Sequence, residues 1–298
     1  MTNWFQTDAA YNLFSQSGDF EVVRAESELW LCQVAVAGSW WCRRGIVQGG
    51  VAQKSQSTYL SDVQAETQIS DLVRLLTEVK TMCLKKRCVY VEIRNFNDYS
   101  AFRQVFEQQG FMYMPHYDVH LPVSSADNMF ARMHDSKQRA LKRALAEGQT
   151  WREAATEDDV RAFYAVLKTL YRTKVKRPLS SLNFFLQAWR QGVTVLLTEQ
   201  NSCITGGVLM PVMAEAGMAY EWYICGGIMS TWAMMEWCSA HNISMIDMMG
   251  AGEPGVQYGV RDFKLQMGGT LHEFGRFILI NRPYTYALGK RIMNLISR

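Results

Sequence analysis

The chain is 298 residues long, 48% of them hydrophobic and 20% charged, and its formal net charge is +3. This length fits two domains or one large α/β unit, and the composition excludes a disordered protein because it supplies apolar side chains for a sizeable core. No uncharged stretch reaches the roughly 20 residues of a membrane-spanning helix, and Met1–Leu13 lacks the basic-then-apolar layout of a signal peptide. We therefore expect a soluble, cytoplasmic protein without an integral membrane segment.

Hydrophobic periodicity predicts both strands and helices in the first half of the chain. Short β-rich runs indicate the strands, and apolar residues at every third or fourth position indicate the helices. The elements predicted here are strands Leu29–Ala37 and Trp40–Val47, helix Gln68–Lys86, strand Cys88–Ile93, helix Tyr99–Gln109 and strand His116–Leu121.

The second half repeats this alternation of strands and helices. Its predicted elements are helices Asp135–Glu147, Glu157–Tyr171 and Ser180–Arg190, strands Val193–Thr198, Cys203–Met213 and Met218–Ile224, helix Thr231–His241, strand Ile243–Met248, a glycine-bearing loop, strand Arg276–Ile280 and helix Tyr284–Arg298. The alternation in both halves predicts a repeated α/β module with mixed sheets. Because polar residues at Ser124–Met129 separate two apolar stretches, we place two domains at 1–128 and 129–298 and allow the final helix to pack back on the first.

Positive charge is concentrated in two short segments. Arg132–Arg143 holds five basic residues and one acid, and Lys168–Arg177 holds five basic residues and no acid. Together these 22 positions carry +9, so the remaining 276 carry −6. A mildly acidic body with two basic segments indicates an anionic, phosphate-rich ligand, although solvated helical faces would also give this pattern.

Cysteine and histidine spacing argues against a metal or disulfide framework. The seven cysteines form no C-x-x-C pair and mostly lie in apolar runs, as expected of reduced thiols in a reducing compartment. His116, Asp118 and His120 alternate along one strand face and could supply two histidines and a carboxylate to a metal. Such a pattern is more often a polar strand face, so we expect no metal and no cofactor.

Two glycine patterns bear on nucleotide binding. Gly250-Ala-Gly-Glu-Pro-Gly255 matches G-x-G-x-x-G, but Glu253 would place a carboxylate beside the phosphates and Pro254 removes a backbone donor. A tight loop bordering a site is the better interpretation. The [Q/R]-x-x-G-x-[G/A] loop of simple acetyl-CoA-dependent transferases, which presents backbone N–H groups to a pyrophosphate, has no match in this chain.

The strongest signal is the C-terminal block. It comprises Tyr220-Glu-Trp-Tyr223, the helix with Trp232 and Trp237, Asp247-Met-Met-Gly250, and Gly259-Val-Arg-Asp-Phe263-Lys264 followed by Gly268-Gly269. Upstream, Arg139-Ala-Leu-Lys142-Arg-Ala144 with Gly148, and Tyr90-Val-Glu-Ile-Arg94 with Gly110-Phe111, complete the pattern. This arrangement resembles the Fem-type (FemABX) peptidoglycan aminoacyltransferases and their GNAT-like acyltransferase relatives.

The resemblance, which covers about residues 85–280, implies an α/β fold of two tandem GNAT-like domains with substrate in the cleft between them. It implies transfer of an activated acyl or aminoacyl group, such as that of aminoacyl-tRNA, to an amine that is typically on a peptidoglycan precursor. Because such an ester is already activated, the enzyme mainly aligns the amine and stabilises the tetrahedral oxyanion.

Roles for individual residues follow from the resemblance. Lys264 is predicted to be catalytic, as the cation that stabilises the oxyanion. The predicted substrate-binding residues are Phe263 (stacking on a terminal base), Arg139 and Tyr223 (phosphates), Asp247 and Gly250 (shaping the turn), and Arg43 or Arg44 in place of a phosphate-contacting lysine of some members. The tRNA-binding residues are predicted from charge instead: they are Lys174, Lys176 and Arg177 of the basic segment, in a chain that lacks the usual CoA pyrophosphate loop. Where some members place an Asp after the first-domain strand, this chain has Arg94-Asn95, and Asn cannot act as a base.

Two alternatives stay open on the same residues. One is an N-acyltransferase that uses acyl-CoA or another thioester on the same fold. The other is a non-catalytic protein that binds an anionic envelope precursor or RNA. A thioester donor bound in the cleft would favour the first, and a cleft filled by side chains around Lys264 would favour the second.

Overall fold

A computed structural model describes residues 3–54 and 62–296, apart from the side chains of 62–64 and 293–296. The strands are β1 (Glu21–Glu26), β2 (Trp30–Ala37), β3 (Arg43–Gly49), β4 (Ala52–Gln53), β5 (Cys88–Asn95), β6 (Met112–Met114), β7 (Tyr117–Pro122), β8 (Thr150–Glu153), β9 (Thr194–Gln200), β10 (Cys203–Met210), β11 (Val212–Met213), β12 (Met218–Tyr220), β13 (Tyr223–Cys225), β14 (Met245–Gly250), β15 (Thr270–Glu273) and β16 (Arg276–Ile280). The α-helices are α1 (Asp8–Gln16), α2 (Asp62–Lys85), α3 (Arg103–Gln108), α4 (Ala126–Arg132), α5 (Asp135–Ala146), α6 (Glu157–Leu170), α7 (Leu182–Arg190), α8 (Ile228–Ala240), α9 (Gly259–Gln266) and α10 (Pro283–Ile296).

The chain divides into two compact units. The first unit combines Met1–His116 with Glu273–Arg298, and the second is Tyr117–His272. The C-terminal segment therefore belongs to the first unit, which differs in extent from the predicted domains 1–128 and 129–298.

The first unit is built on a mixed sheet in the order β1-β2-β3-β5-β16-β6, with β4 paired to β2. Strands β3 and β5 run parallel, and β16 is antiparallel to both β5 and β6. The C-terminal strand thus fills the position between two strands that come from the first half of the chain.

One face of this sheet and helix α2 enclose the core of the first unit. Strand β5 turns Val91 and Ile93 towards the buried face of α2, which contributes Leu72 and Leu76. This agrees with the alternation of side chains along a strand and the three-to-four-residue spacing along a helix. On the opposite face, Tyr286 of α10 contacts Tyr90 with ring centroids 5.3 Å apart.

The second unit contains two sheets. One has the order β11-β12-β14-β7-β15 and the other the order β13-β10-β9-β8. Helix α8 is buried along most of its length, including Met234, Met235 and Trp232. A helix that is apolar on all sides belongs inside a core, and α8 packs on β8, β9, β10 and β14. The mixed α/β architecture expected from the sequence is confirmed.

Several predicted elements need correction. Strand β3 begins at Arg43 rather than at Trp40, because the chain turns through Gly38 (φ +105°) and Cys42 N–H donates to the Ser39 carbonyl at 2.9 Å. Helix α9 replaces a predicted loop. Val260 and Phe263 of α9 and Met267 at its C-cap have helical spacing that the neighbouring glycines obscured.

Two predicted strands are each divided in two. The segment 203–213 breaks at Pro211, which cannot donate a ladder hydrogen bond. The segment 218–224 breaks at Glu221 and Trp222, where the chain passes from one sheet to the other. Helix α1 and strand β1 were not among the predicted elements. All seven cysteines are free thiols, and within 3–54 and 62–296 no helix is long and apolar enough to cross a bilayer.

Candidate active site

Two neighbouring strands of the second unit separate at Glu221. Strand β12 pairs in parallel with β14 as far as Tyr220 and Asp247, and Glu221 N–H donates to the Asp247 carbonyl at 2.9 Å. From Tyr223 onward, the chain pairs with β10 of the other sheet. The pairing of β12 with β14 therefore ends at Asp247, and Glu221 and Asp247 lie where the two strands diverge.

Strand β14 carries a bulge at the same level. Asp247 pairs with His120 of β7, but Gly250 pairs with Asp118, so β14 has one more residue than β7 across this interval. Met249 adopts the left-handed conformation (φ +61°), which is uncommon for a residue with a side chain. Bulges locally disrupt ladder pairing and re-aim side chains. Here the irregular backbone turns consecutive carbonyl groups towards one point.

That point is occupied by the ammonium group of Lys264. The residue is only 5% exposed, and its Nζ donates to the carbonyls of Met248, Met249 and Gly250, the last two at 3.3 and 3.2 Å. Nζ also lies 3.6 Å from Glu221 Oε1. A lysine ammonium has three N–H donors, so these carbonyls match its capacity. Lys264 thus closes the bulge and places its positive charge beside the buried Glu221 carboxyl group.

The two glycines after α9 allow Lys264 to reach this position. Gly268 has φ +96°, which suits the residue that ends a helix. A Cβ on Gly269 would lie 2.3 Å from Val119 Cγ1 and 3.0 Å from the Lys264 carbonyl. Gly268 is therefore favoured by its backbone conformation, and Gly269 is required by packing of the α9 terminus against β7.

Burial dominates the titration of both carboxyl groups. Glu221 is 7% exposed, and burial raises its pKa although the Lys264 ammonium opposes the rise. Asp247 is 1% exposed, and burial raises its pKa to about 7, while the Met249 N–H bond to Oδ1 (2.6 Å) and Lys264 oppose the rise. Burial therefore favours the protonated form of both carboxyl groups, and Asp247 can gain or lose a proton near neutral pH.

Histidines complete the polar cluster. His120 Nε2 lies 3.8 Å from Asp247 Oδ2, and burial together with the nearby His272 lowers the His120 pKa to about 4. The His120 and His272 rings are 4.6 Å apart. Near neutral pH the His120 imidazole is uncharged, so it does not form an ion pair with Asp247. In the described parts of the chain, no group of three or more His, Cys, Asp or Glu side chains is arranged to hold a metal.

Tyr223, one of the two predicted phosphate-binding residues, lies beside Tyr171, at the start of the turn that carries the predicted tRNA-binding residues. The Tyr171 ring is 6.3 Å from that of Tyr223, whose hydroxyl is 3.1 Å from Ser180 Oγ. Tyr171 begins a π-helical turn, Tyr171–Val175, which ends at Lys176 in the left-handed conformation. Lys174, Lys176 and Arg177 are all exposed. We call Tyr171, Tyr223, Ser180, Lys174, Lys176 and Arg177 the Tyr171 cluster.

Phe263 and Arg139 lie elsewhere in the second unit. Phe263 is half-buried on α9, and the Lys137 ammonium of α5 sits 4.6 Å from its ring centroid. Arg139 is exposed on the same helix α5, two positions after Lys137. The cation covers the ring on which a base was predicted to stack.

Arg43 and Arg44 lie in the first unit, at the beginning of β3. Arg43 Nη1 contacts Glu21 Oε2 at 2.9 Å. Burial raises the pKa of the Tyr90 hydroxyl, and the positive charge of Arg44 opposes that rise. Arg94, at the predicted position Arg94-Asn95, lies beside Glu92 and Arg276 in the same unit. Burial would raise the Glu92 pKa, but Arg94 and Arg276 outweigh it and lower that pKa to about 2.

The structure thus brings Lys264, Asp247 and Gly250 together and places Tyr223 beside the basic turn. Sequence reasoning missed Glu221 and Tyr171. Glu221 stands in the quoted run Tyr220–Tyr223, where an acidic residue inside an aromatic β-run was the available signal. Tyr171 is the last residue of the predicted helix 157–171 and lies within the basic segment Lys168–Arg177.

Three solved structures are similar to this chain in fold. FemX has a TM-score of 0.66 at 12% identity, over 96% of this chain and 94% of that one. L-PGS from Bacillus licheniformis has a TM-score of 0.62 at 14% identity, over 96% and 92%. A tandem GNAT protein from the clavulanic acid biosynthesis pathway has a TM-score of 0.51 at 9% identity, over 90% and 87%. No protein-family profile and no curated protein matches the chain.

These similarities confirm the predicted fold. The chain has the Fem-type, GNAT-like acyltransferase fold, and its mixed sheets fit two tandem GNAT-like domains. At identities of 9–14% they concern the fold alone.

Proposed function

We propose that the protein is an acyltransferase that moves an aminoacyl group from aminoacyl-tRNA to an amine on a peptidoglycan precursor. The observation that carries this proposal is the fold shared with FemX over 96% of the chain, combined with an exposed basic turn beside Tyr223. The amine acceptor comes from the Fem-type resemblance of the C-terminal block.

The Tyr171 cluster supports a polyanionic donor. Its three cations are exposed on a turn that is free of acidic residues, and the hydroxyls of Tyr171, Tyr223 and Ser180 can donate to phosphate oxygens. Successive phosphates of RNA match several separate cations better than a single small phosphate ligand does. Aminoacyl-tRNA is the activated ester that supplies such a backbone.

The chemistry requires proton transfer but no covalent enzyme intermediate. The amine nitrogen attacks the ester carbonyl carbon, the new C–N bond forms, and the C–O bond to the ribose breaks. The amine loses a proton and the departing ribose oxygen gains one. An enzyme group with a pKa near the working pH serves both transfers best.

We assign the proton-accepting role to Glu221. Its pKa is raised by burial, and Oε2 has no hydrogen-bond partner among the described residues. It directly follows β12, where the chain leaves β14, and this is where a substrate amine would approach the strand ends. Asp247, bonded to Met249 N–H, would act as a positioning residue for the bulge.

Lys264 has two competing roles. The predicted oxyanion role needs an N–H group directed at the substrate, whereas the three carbonyls of the bulge already match its three donors. We therefore propose that Lys264 chiefly holds the bulge and orients Glu221. The catalytic role of Lys264 stays a prediction. Substitution of Lys264 distinguishes it from the positioning role.

Substitution of Glu221 tests the proton transfer. Glu221→Gln keeps the shape and an acceptor for Lys264 but removes the base, so turnover should fall about 100- to 10,000-fold. The control is Glu236→Gln, which alters the carboxylate that accepts from Trp151 Nε1. In the wild type, the rate of aminoacyl transfer should rise with pH as Glu221 loses its proton, at a pH above the ordinary glutamate range. This pH dependence should be absent in Glu221→Gln. Equal turnover of the two variants would remove Glu221 from the mechanism.

Binding across a salt series tests the donor. Affinity for aminoacyl-tRNA should fall steeply with salt, because each neutralised phosphate releases condensed counterions. Lys174→Gln/Lys176→Gln/Arg177→Gln should reduce the log–log slope by about 2 to 3 without changing the thermal midpoint. The triple Lys85→Gln/Arg282→Gln/Arg291→Gln removes the same charge from the first unit and is the control. Saturable acyl-CoA binding without RNA binding would overturn this donor.

An acyl-CoA donor remains the second candidate. Helix α8 begins after Gly226 and Gly227, and its N-terminus has no side-chain cap, so its free N–H groups could receive a phosphate. The structure of the tandem GNAT protein noted above is of a form without AcCoA. Protection of α8 amides from hydrogen exchange by acyl-CoA would favour this donor over tRNA.

A further inference from the structure

Two tryptophans stand exposed at the tip of a hairpin in the first unit. Trp40 is 72% exposed and Trp41 55% exposed, in the turn between β2 and β3. The turn is closed by the Cys42 N–H bond to the Ser39 carbonyl. Tryptophan side chains are usually mostly buried, so an adjacent exposed pair is typical of a surface that docks on a partner.

Helix α10 presents a second apolar surface. Tyr284 is 94% exposed, and Leu288 and Ile292 are also exposed. The three positions are spaced by four residues and therefore form one stripe along the helix. The opposite side of α10 carries Tyr286, which packs on Tyr90 of the sheet. The side of α10 that faces away from the sheet therefore carries an apolar stripe where polar residues are usual.

Strand register places both surfaces at the same edge of the sheet, by which we mean the edge formed by the ends of its strands where β3 and β5 begin. Arg43, directly after the tryptophan turn, pairs with Cys88 at the beginning of β5. The next residue of β5, Val89, accepts hydrogen bonds from the backbone of Asn281 and Arg282, which lead into α10. The hairpin tip and the start of α10 therefore flank the first residues of β5.

Positive charge surrounds these apolar residues. The turn from α2 into β5 is Lys85-Lys86-Arg87, preceded by the exposed Leu84. Lys86 and Arg43 share Glu21, whereas Lys85, Arg87, Arg282 and Arg291 are exposed and form no ion pair among the described residues. Asp19 and Glu21 are the acidic residues at the neighbouring end of β1. The edge is therefore both apolar and cationic.

We propose that this edge of the first unit docks on an anionic phospholipid membrane surface. Tryptophan and tyrosine favour the interfacial region of a bilayer, where the apolar ring enters the boundary and the polar tip stays hydrated. The α10 stripe lies along the interface as an amphipathic helix does. Lys85, Arg87, Arg282 and Arg291 attract the negative lipid headgroups.

The aliphatic side chains favour a membrane over nucleic acid. Leu84, Leu288 and Ile292 cannot stack on bases or contact phosphates, but they can enter the acyl-chain boundary. The cations without carboxylate partners favour an anionic surface over a second copy of the same cationic edge, since like charges would face each other. The inference rests on the first unit alone and is independent of the proposed transfer reaction.

Vesicle sedimentation tests the proposal. The full chain should bind vesicles with about 30% phosphatidylglycerol, or with phosphatidylserine in its place, at least about tenfold more tightly than neutral phosphatidylcholine vesicles, and the difference should shrink at high salt. Trp40→Ala/Trp41→Ala should weaken binding to the anionic vesicles about tenfold or more. Lys85→Gln/Arg282→Gln/Arg291→Gln should weaken it on the order of 100-fold, about fivefold for each charge.

Matched variants make the result decisive. Lys174→Gln/Lys176→Gln/Arg177→Gln removes the same charge from the second unit, and Leu145→Ala removes an exposed apolar side chain there. Both should leave vesicle binding within about twofold of wild type. The proposal is overturned by no binding to anionic vesicles, by equal effects of the two charge triples, or by tryptophan variants that bind normally. Dimerisation without vesicles that Trp40→Ala/Trp41→Ala abolishes would also overturn it, in favour of self-association.

Discussion

Replacing Lys264 with methionine separates its two proposed roles. Methionine keeps an unbranched apolar stem of similar reach but removes the charge and all three N–H donors. The carbonyls of Met248, Met249 and Gly250 would lose their shared donor, and the buried Glu221 carboxyl would lose the cation 3.6 Å away. The surrounding packing would otherwise remain.

The magnitude follows from this burial. Removing one partner of a buried ion pair costs about 3–5 kcal/mol in the free energy of unfolding, because the other charge is left uncompensated. For a unit of this size the thermal midpoint should fall by about 6–20 °C. Burial already raises the Glu221 pKa, so Glu221 can take up a proton in the variant. The loss should therefore be larger at pH 8 than at pH 5.

The assay combines urea unfolding with turnover measured on the same samples. Lys142→Met is the matched control, because Lys142 is exposed on α5 with its Nζ 5.2 Å from the Phe130 ring centroid. That contact should contribute less than about 1 kcal/mol. The double variant Lys264→Met/Glu221→Gln should recover about 1–3 kcal/mol relative to additive losses, since the unpaired carboxylate is gone.

Two outcomes would refute the reasoning. If Lys264→Met unfolds within about 1 kcal/mol of Lys142→Met, the ammonium does not hold the bulge. If turnover falls about 30- to 1000-fold while the thermal midpoint is unchanged, Lys264 stabilises the oxyanion and the predicted catalytic role stands. Unchanged turnover after correction for the folded fraction would remove that role.

Two further substitutions test the same cluster. The folded Asp247 pKa of about 7 lies above the ordinary value near 4, so the folded state binds the proton more tightly, and this contribution to stability is lost as pH rises from about 4 to about 7. Asp247→Asn mimics the neutral acid, so its free energy of unfolding should not fall in this way. Measured by urea unfolding, the stability of the variant relative to wild type should rise by about 2–3 kcal/mol between pH 5 and pH 8. If the stabilities of the two proteins change in parallel with pH, the assignment is contradicted. Gly269→Ala should cost about 1–3 kcal/mol in the free energy of unfolding, because its Cβ would overlap Val119, and a thermal midpoint equal to wild type would contradict this packing.

Local pattern was enough to predict many elements of the fold. The alternation of apolar residues in 88–93 predicted β5, and helical spacing in 68–86 predicted most of α2, because both elements bury one face against the same core. The motif from Asp247 to Gly269 indicated the Fem-type, GNAT-like fold. Charge counting located the exposed basic turn, since charged side chains stay at the surface without contributions from distant residues.

The tertiary structure alone decided what these motif residues do. Strand β16 lies between β5 and β6, and no local property of residues 276–280 specifies partners more than 150 positions away. The sequence shows Lys264 as a charged residue before a Gly-Gly pair, which is typical of an exposed loop. It is buried because the bulge at Met248 and Met249 turns carbonyls towards it and because β12 brings Glu221 alongside. The sequence therefore determined which polar residues are present, whereas the long-range strand pairing determined which of them are buried together and so which of their pKa values shift.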